Sequence, residues 1–380
     1  MKILIVTHKV MRGDGQARVN YELVCHLLDW GHEVTLLTNQ VADDLLGRTG
    51  LTVKIIEAAS NLPALLRELL WAKACTDFLK VHSEQYEIIH LNGAVAYVPH
   101  QVNTSHFVHA SFRLYLKQEK ITGWRNVYHR LHADLNIRLE KSVYLQAKKV
   151  VAVSPKTKRE LVEIVGIAAD CVEVICNAVD VKEFCPNPDR RAKTREKLGI
   201  PDGQFAVLFA GDLQQQRKGL RTILEAMAGL PEDIHLYAAG KGNPETYSEQ
   251  LLPVQSRVHF LGYRRDIVDL FQAADAFAFP SRYDTMALVV FEALASGLPV
   301  ITTIESGVGE VMQSGVNGFV MDPYDAKALN SQLFTLYSDP EFSARMRLEA
   351  RKLALQFTWE RVAEQYISIY KLVGKKAASP

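Results

Sequence analysis

The sequence predicts an α/β protein of two Rossmann-like, parallel-sheet lobes, and three observations carry that expectation. Short runs rich in Val, Ile and Leu recur along both halves, with helical patterns between several of them. These runs lack the polar alternation of a half-exposed sheet. At 380 residues the chain also exceeds one ordinary domain and suits two of roughly 150–200 residues each. Strands without alternation are buried on both faces, which requires helices on each side of a mainly parallel sheet. Ligands are then expected beyond the carboxyl ends of the strands.

In the first half, KILIVT at 2–7, EVTLLT at 33–38, EIIHLN at 87–92 and KVVAVS at 149–154 read as strands. The polar stretch CPNPDRRAKTREKLGIPDGQ at 185–204 reads as the connection between lobes, with a short helix inside RRAKTREKLG. The strand pattern then restarts: AVLFAG at 206–211, IHLYAAG at 234–240, VHFLG at 258–262, AFAFP at 276–280 and VITT at 300–303. This gives a first domain over 1–190, a second over 191–356 and a terminal segment over 357–380. The amphipathic helix at 357–373 has its docking position open between the lobe junction and the first domain.

Composition narrows the function classes. With 44 Lys plus Arg against 43 Asp plus Glu, the formal net charge is +1, so no global field attracts nucleic acid. Cys25, Cys75, Cys171, Cys176 and Cys185 form no CxxC pair, which suits reduced thiols in the cytoplasm. The opening MKILIVTHKV is broken by His8, Lys9 and Arg12, as expected of a buried strand and not of a secretory signal. No apolar run approaches about 18 residues.

Several residues are placed for chemistry. A helix beginning near Thr285 makes Asp284 its N-cap or the residue just outside it, and puts Glu292 inside an apolar series. Eight helical residues advance about 80° and about 12 Å, too far for a paired acid and base but suited to two parts of one ligand. The plainer alternative is an ordinary cap and a partly exposed glutamate. In GDLQQQRKGL at 211–220, Arg217 and Lys218 stand beside Gly219 at a turn before a helix. They suit a diphosphate, or form a solvated pair.

The loop HKVMRGDGQARVNYEL at 8–23 carries Gly13 and Gly15, either for close approach to a phosphate or sugar or as a surface turn. Arg18 stands where a dinucleotide fingerprint needs its third glycine, so the NAD signal is weak. In NTSHFVHASF, His109 precedes a helix, with His106 the alternative if the register slips and His90 at another strand end. Ser154 is a helix N-cap, and Lys156, Lys158 and Arg159 form a basic face for an anionic acceptor or for solvent. Gly307 and Gly309 shape a later loop that also holds Glu310. No cluster has the spacing of a zinc or calcium site.

The segment PSRYDTMALVVFEALASGLPV at 280–300, with VHFLGYRRDIVDLFQAADAFAF before it, resembles the retaining GT-B glycosyltransferases of glycosyltransferase family 4. That family's signature has two glutamates separated by seven residues, followed by EAxAxGxPV. Here Asp284 and Glu292 hold those places. The resemblance implies two lobes facing an interdomain cleft, no cofactor, no metal, and a nucleotide-sugar donor such as a UDP-hexose. It assigns Asp284, with the amides of Thr285, Met286 and Ala287, to the donor sugar, Glu292 to the ribose and Lys218 to the diphosphate. Arg217 is a possible second cation, Gly13 and Gly15 line the first-lobe loop, His109 meets the donor sugar, and Gly307 shapes a loop near the diphosphate.

On this reading Lys218, Asp284 and His109 are catalytic. Three departures stand out: Asp284 is shortened from glutamate, Ala287 replaces a frequent glycine, and Asp212 sits where many members have arginine. The implied reaction is hexosyl transfer to a hydroxyl of a glycan, polysaccharide precursor or lipid-linked acceptor, as in polysaccharide or lipopolysaccharide biosynthesis. A nucleotide-sugar epimerase and a catalytically weak binding protein of the same fold are the rivals. The amphipathic stretch 111–132 adds an expectation of peripheral contact with the cytoplasmic face of a membrane.

Overall fold

The computed structural model describes residues 1–13, 15–57, 62–119 and 124–374, without the side chains of 64 and 124–133. The chain divides into two units, Met1–Asn177 with Trp359–Pro380, and Ala178–Thr358. Among the described residues no helix is long and apolar enough to cross a membrane. Much of the amphipathic stretch expected to touch a membrane lies outside the description, namely residues 120–123 and the side chains of Trp124, Arg125, Tyr128 and Arg130.

The main-sheet strands of the first unit are β1 (Lys2–Val6), β2 (Glu33–Thr38), β3 (Leu51–Ile55), β4 (Ile88–Asn92), β5 (His100–Ser105), β6 (Ala147–Ala152) and β7 (Val172–Val174), beside a short separate pair, Lys9–Val10 with Gln40–Val41. They form one parallel sheet in the order β3-β2-β1-β4-β5-β6-β7. Ile3, Leu4, Ile5 and Val6 of β1 are fully buried, as continuous apolar strands in a covered sheet should be.

Strand β5 departs from the sequence expectation. HQVNTS carries one apolar residue, yet all six positions are buried. Burial is tolerable because each polar group has a partner. Gln101 Oε1 accepts the Ile89 N–H at 2.8 Å, Asn103 Oδ1 accepts the Gly93 N–H at 2.9 Å, and His100 Nδ1 lies 2.8 Å from the Val98 carbonyl oxygen.

The helix Trp359–Val373 belongs to this first unit. Tyr370 Oη lies 2.7 Å from His90 Nδ1, His90 Nε2 lies 2.8 Å from Thr104 Oγ1, and Tyr366 Oη lies 2.9 Å from the same Thr104 oxygen. His90, named from sequence as a strand-end candidate, is therefore a buried structural group tying the last helix to the sheet.

The second unit holds β8 (Phe205–Ala210), β9 (Ile234–Ala239), β10 (Val258–Gly262), β11 (Ala276–Phe279), β12 (Val300–Thr303) and β13 (Phe319–Met321). Their order is β10-β9-β8-β11-β12-β13, again parallel throughout. In both sheets the chain winds outward from a central first strand, reverses and continues on the other side, which places a switch point beside β1 and beside β8.

The boundary between units falls at Asn177 and Ala178 and not at 190 and 191. Residues 178–187 mix apolar Val179, Val181 and Phe184 with charged positions, and distant residues of the second unit capture their backbone. Arg351 donates to the carbonyls of Val181 at 2.8 Å and Phe184 at 2.7 Å, and the Val179 N–H donates to Phe357 at 3.2 Å. The helix Pro188–Leu198 then starts on an Asn187 cap and stops at Gly199, whose φ is 66°.

Burial holds four first-unit histidines neutral well below their ordinary value of 6.5: His90 at about 3, and His8, His100 and His106 each at about 4. An unfolded chain takes up protons at these rings that the native state excludes. Stability is thus fully present above pH 6.5 and is lost as pH falls toward the folded values. Each ring is expected to cost on the order of 1–2 kcal/mol by about pH 5. The thermal midpoint should fall by several degrees between about pH 7 and pH 5; a flat profile over that window would contradict this assignment.

Candidate functional site

Strands β8, β11 and β12 end in three loops that interlock through missing side chains. Gly219 has φ 84°, and a Cβ there would sit 2.0 Å from the Pro280 carbonyl oxygen. Gly307 has φ 74°, and its Cβ would sit 2.0 Å from the Thr285 carbonyl oxygen. Backbone bonds then fix the arrangement: Arg282 N–H to Arg217 O at 2.7 Å, Asp284 N–H to Glu305 O at 2.8 Å and Ala287 N–H to Ser306 O at 3.0 Å.

Those bonds overturn one expectation. The helix after β11 is Leu288–Ala295 with Ala287 at its N-cap position, so Asp284 is not the cap. The acidic residue before an apolar run looks like a cap, but the 304–306 turn holds residues 284–287 in a bent loop ahead of the helix. Asp284 and Glu292 are therefore not separated by eight residues of helix. Glu292 lies within the helix, partly buried.

Freed from capping, the Asp284 carboxylate gathers cations. Oδ1 accepts from Arg217 Nη1 at 3.1 Å, while Oδ2 accepts from Lys218 Nζ at 2.8 Å and Ser281 Oγ at 3.1 Å. Burial alone would raise the Asp284 carboxyl, and Lys218 and Arg217 together outweigh it, so the net shift is downward. Lys218 is pushed down by burial despite the opposing pull of Asp284. Its ammonium also stands 5.3 Å over the Phe279 ring.

Arg217 is a member of this cluster and not a solvated neighbour. Nη1 also donates to the Tyr283 carbonyl at 2.6 Å and Nη2 to Gln215 Oε1 at 2.7 Å. Asp212 caps its own loop, accepting the Gln214 N–H at 2.9 Å and a Gln215 Nε2 hydrogen at 3.1 Å. Asp212 thereby holds Gln215, and Gln215 holds Arg217. Nothing in the hydrophobic pattern singled out Gln215.

Other candidates lie in the first unit. Gly13 has φ 82° with nothing within 4 Å of a Cβ, and Gly15 opens the helix Gly15–Asp29. His109 begins the helix His109–Gln118 and borders a cavity of about 190 Å³ with His8, Trp71, Asn92, His106 and Glu140. His106 Nε2 is occupied 3.0 Å from Asn92 Oδ1. Ser154 caps its helix as expected, accepting the Thr157 N–H. The basic face after it does not simply face solvent: Lys156 Nζ is 2.7 Å from Glu160 Oε1 with both side chains buried, and Lys158 Nζ donates to the Val172 carbonyl at 2.7 Å.

Thus Arg217, Lys218, Asp284, Thr285, Met286, Ala287, Glu292 and Gly307 belong to the second unit, while Gly13, Gly15 and His109 belong to the first. The loop clasp gives a direct test. Gly307→Ala combines positive φ with a backbone collision and should cost roughly 3 kcal/mol or more. Gly13→Ala meets only the backbone penalty, about 1–2 kcal/mol. Thermal unfolding of the two variants should show Gly307→Ala as clearly the worse; equal midpoints would mean the clasp is not tight.

Comparison with known proteins follows the same division. Residues 13–183 match the family model Glycosyltransferase Family 4, and residues 190–353 match Glycosyl transferases group 1. A D-inositol 3-phosphate glycosyltransferase of Xylanimonas cellulosilytica is 31% identical over 250 residues, 62% of this chain and 60% of the relative, so the match spans under two thirds of its length. The structure of WaaG, a glycosyltransferase involved in lipopolysaccharide biosynthesis, superposes with a TM-score of 0.79 at 20% identity, covering 98% of this chain and 99% of that one. Anabaena HepE, solved in complex with UDP and glucose, gives 0.76 at 21% identity, covering 98% and 100%. With both halves matched by these models and the fold shared along nearly the whole length, the chain belongs to glycosyltransferase family 4 and has the GT-B architecture.

Proposed function

We propose that the protein is a retaining, metal-independent hexosyltransferase that moves a hexose from a nucleotide-sugar, a UDP-linked one, to a hydroxyl of a glycan, polysaccharide precursor or lipid-linked acceptor in the cytoplasm. The observation that carries this is the pair of cations, Arg217 and Lys218, gathered on the Asp284 carboxylate at the carboxyl ends of β8 and β11. Two positive charges held in a partly buried setting suit a departing diphosphate, whose negative charge grows as the sugar–oxygen bond breaks.

In this reading the anomeric C1–O bond to the diphosphate breaks and a new bond to the acceptor oxygen forms on the same face. The acceptor proton passes to a phosphate oxygen, so no side chain is a covalent nucleophile. Lys218 and Arg217 stabilise the leaving group. Asp284 exchanges part of its ion pairing for a donor-sugar hydroxyl, and Glu292 accepts from the ribose. Ala287 contributes its methyl group, since its N–H is already donated to Ser306. Thr285 and Met286 line the sugar, Gly307 keeps the neighbouring loop close, and Gly13, Gly15 and His109 are proposed as further donor-binding residues.

Incubation with UDP-, GDP- and ADP-sugars and cell glycan extracts, followed by mass and linkage analysis, should yield a sugar-extended product with retained anomeric configuration. Lys218→Ala should lower kcat by about 10²–10³-fold while leaving the protein folded. Undiminished turnover in that variant would sink the phosphate role, and an inverted product would sink the proposed stereochemistry.

A further inference from the structure

The first unit contains a buried carboxylate that the transfer reaction as described does not use. Glu140, on the helix Trp124–Tyr144, is 2% exposed. Its Oε2 accepts the His109 backbone N–H at 3.1 Å. Its Oε1 lies 3.2 Å from His109 Nδ1 and accepts from Tyr144 Oη at 3.2 Å. Every one of these partners can donate, which is how a carboxylate withdrawn from water is compensated.

This arrangement decides the chemistry of the imidazole. A carboxylate only accepts, so the ring nitrogen facing it carries the proton. In the neutral ring the other nitrogen, Nε2, is then an acceptor. No described residue bonds to Nε2, and His109 borders the cavity at the carboxyl ends of the first-unit strands. The Phe107 ring meets the imidazole edge-on at 5.0 Å and 74°, which restricts its rotation.

We propose that Glu140 is a positioning residue that fixes His109 in its Nδ1–H form, so that Nε2 accepts a hydrogen bond from a hydroxyl of the transferred sugar. The identity of that ligand rests on the hexosyltransferase reading; the tautomer does not. Glu140→Gln makes a sharp change. The His109 backbone N–H cannot change role, so the glutamine oxygen must stay with it and the NH₂ end must face Nδ1. The ring is then forced into the Nε2–H form, and an acceptor in the cavity becomes a donor.

The test combines ¹⁵N NMR of the imidazole in the ligand-free full chain with calorimetric binding of UDP-glucose and UDP. Wild type and Tyr144→Phe should show the Nδ1–H form, and Glu140→Gln the Nε2–H form. Glu140→Gln should weaken UDP-glucose about tenfold while leaving UDP within about twofold, since only the sugar meets His109. An Nε2–H ring in wild type, or an unchanged tautomer in Glu140→Gln, overturns the positioning role. A switched tautomer with full UDP-glucose affinity overturns the sugar contact. If wild type binds neither nucleotide, the UDP-sugar reading fails and the sugar contact fails with it, while the NMR result alone decides what Glu140 does. Wild-type spectra suffice for that decision even if Glu140→Gln folds poorly.

Discussion

A carboxylate withdrawn from water has to be compensated nearby, and in the second unit Asp284 meets that requirement with Lys218 and Arg217. The chain ends of two strands are drawn together by that need, and the glycines at 219 and 307 allow the loops to come close enough to satisfy it. Around the Asp284 carboxylate itself two cations meet one anion. The two cations are held in fixed orientation by the fold itself, so the cost of arranging them falls on folding.

The shortened acid contributes to this arrangement. Oδ2 of Asp284 receives both Lys218 and Ser281 while Oδ1 receives Arg217. Arg217 is in turn steadied through Gln215 by Asp212. Positions 284 and 212 are thus linked physically: Asp212 holds Gln215, and Gln215 braces the cation that reaches Asp284.

Legibility in the sequence followed the range of the forces involved. Continuous apolar runs such as KILIV and AFAF became buried strands because that pattern needs no distant partner. HQVNTS was invisible to the same reading, since its burial depends on partners at Ile89, Gly93 and the last helix. Asp284 looked like a cap because capping is local, while the backbone bond it donates to the Glu305 carbonyl spans a strand and a helix. Lys218 and Gly307 could be singled out through a motif. Glu140 and Gln215 could not, because each matters only through a contact that folding creates.

The first unit is discontinuous in the chain, with the whole second unit inserted between Asn177 and Trp359. During synthesis the sheet around β4 and β5 therefore emerges long before the helix that covers it. Until Tyr366 and Tyr370 leave the ribosome, His90 and Thr104 lack two of their partners. The second unit, contiguous from Ala178 to Thr358, needs no such late addition. The lobe made first is thus the lobe completed last, and the nascent chain must carry a sheet without its last covering helix through the synthesis of roughly half its length.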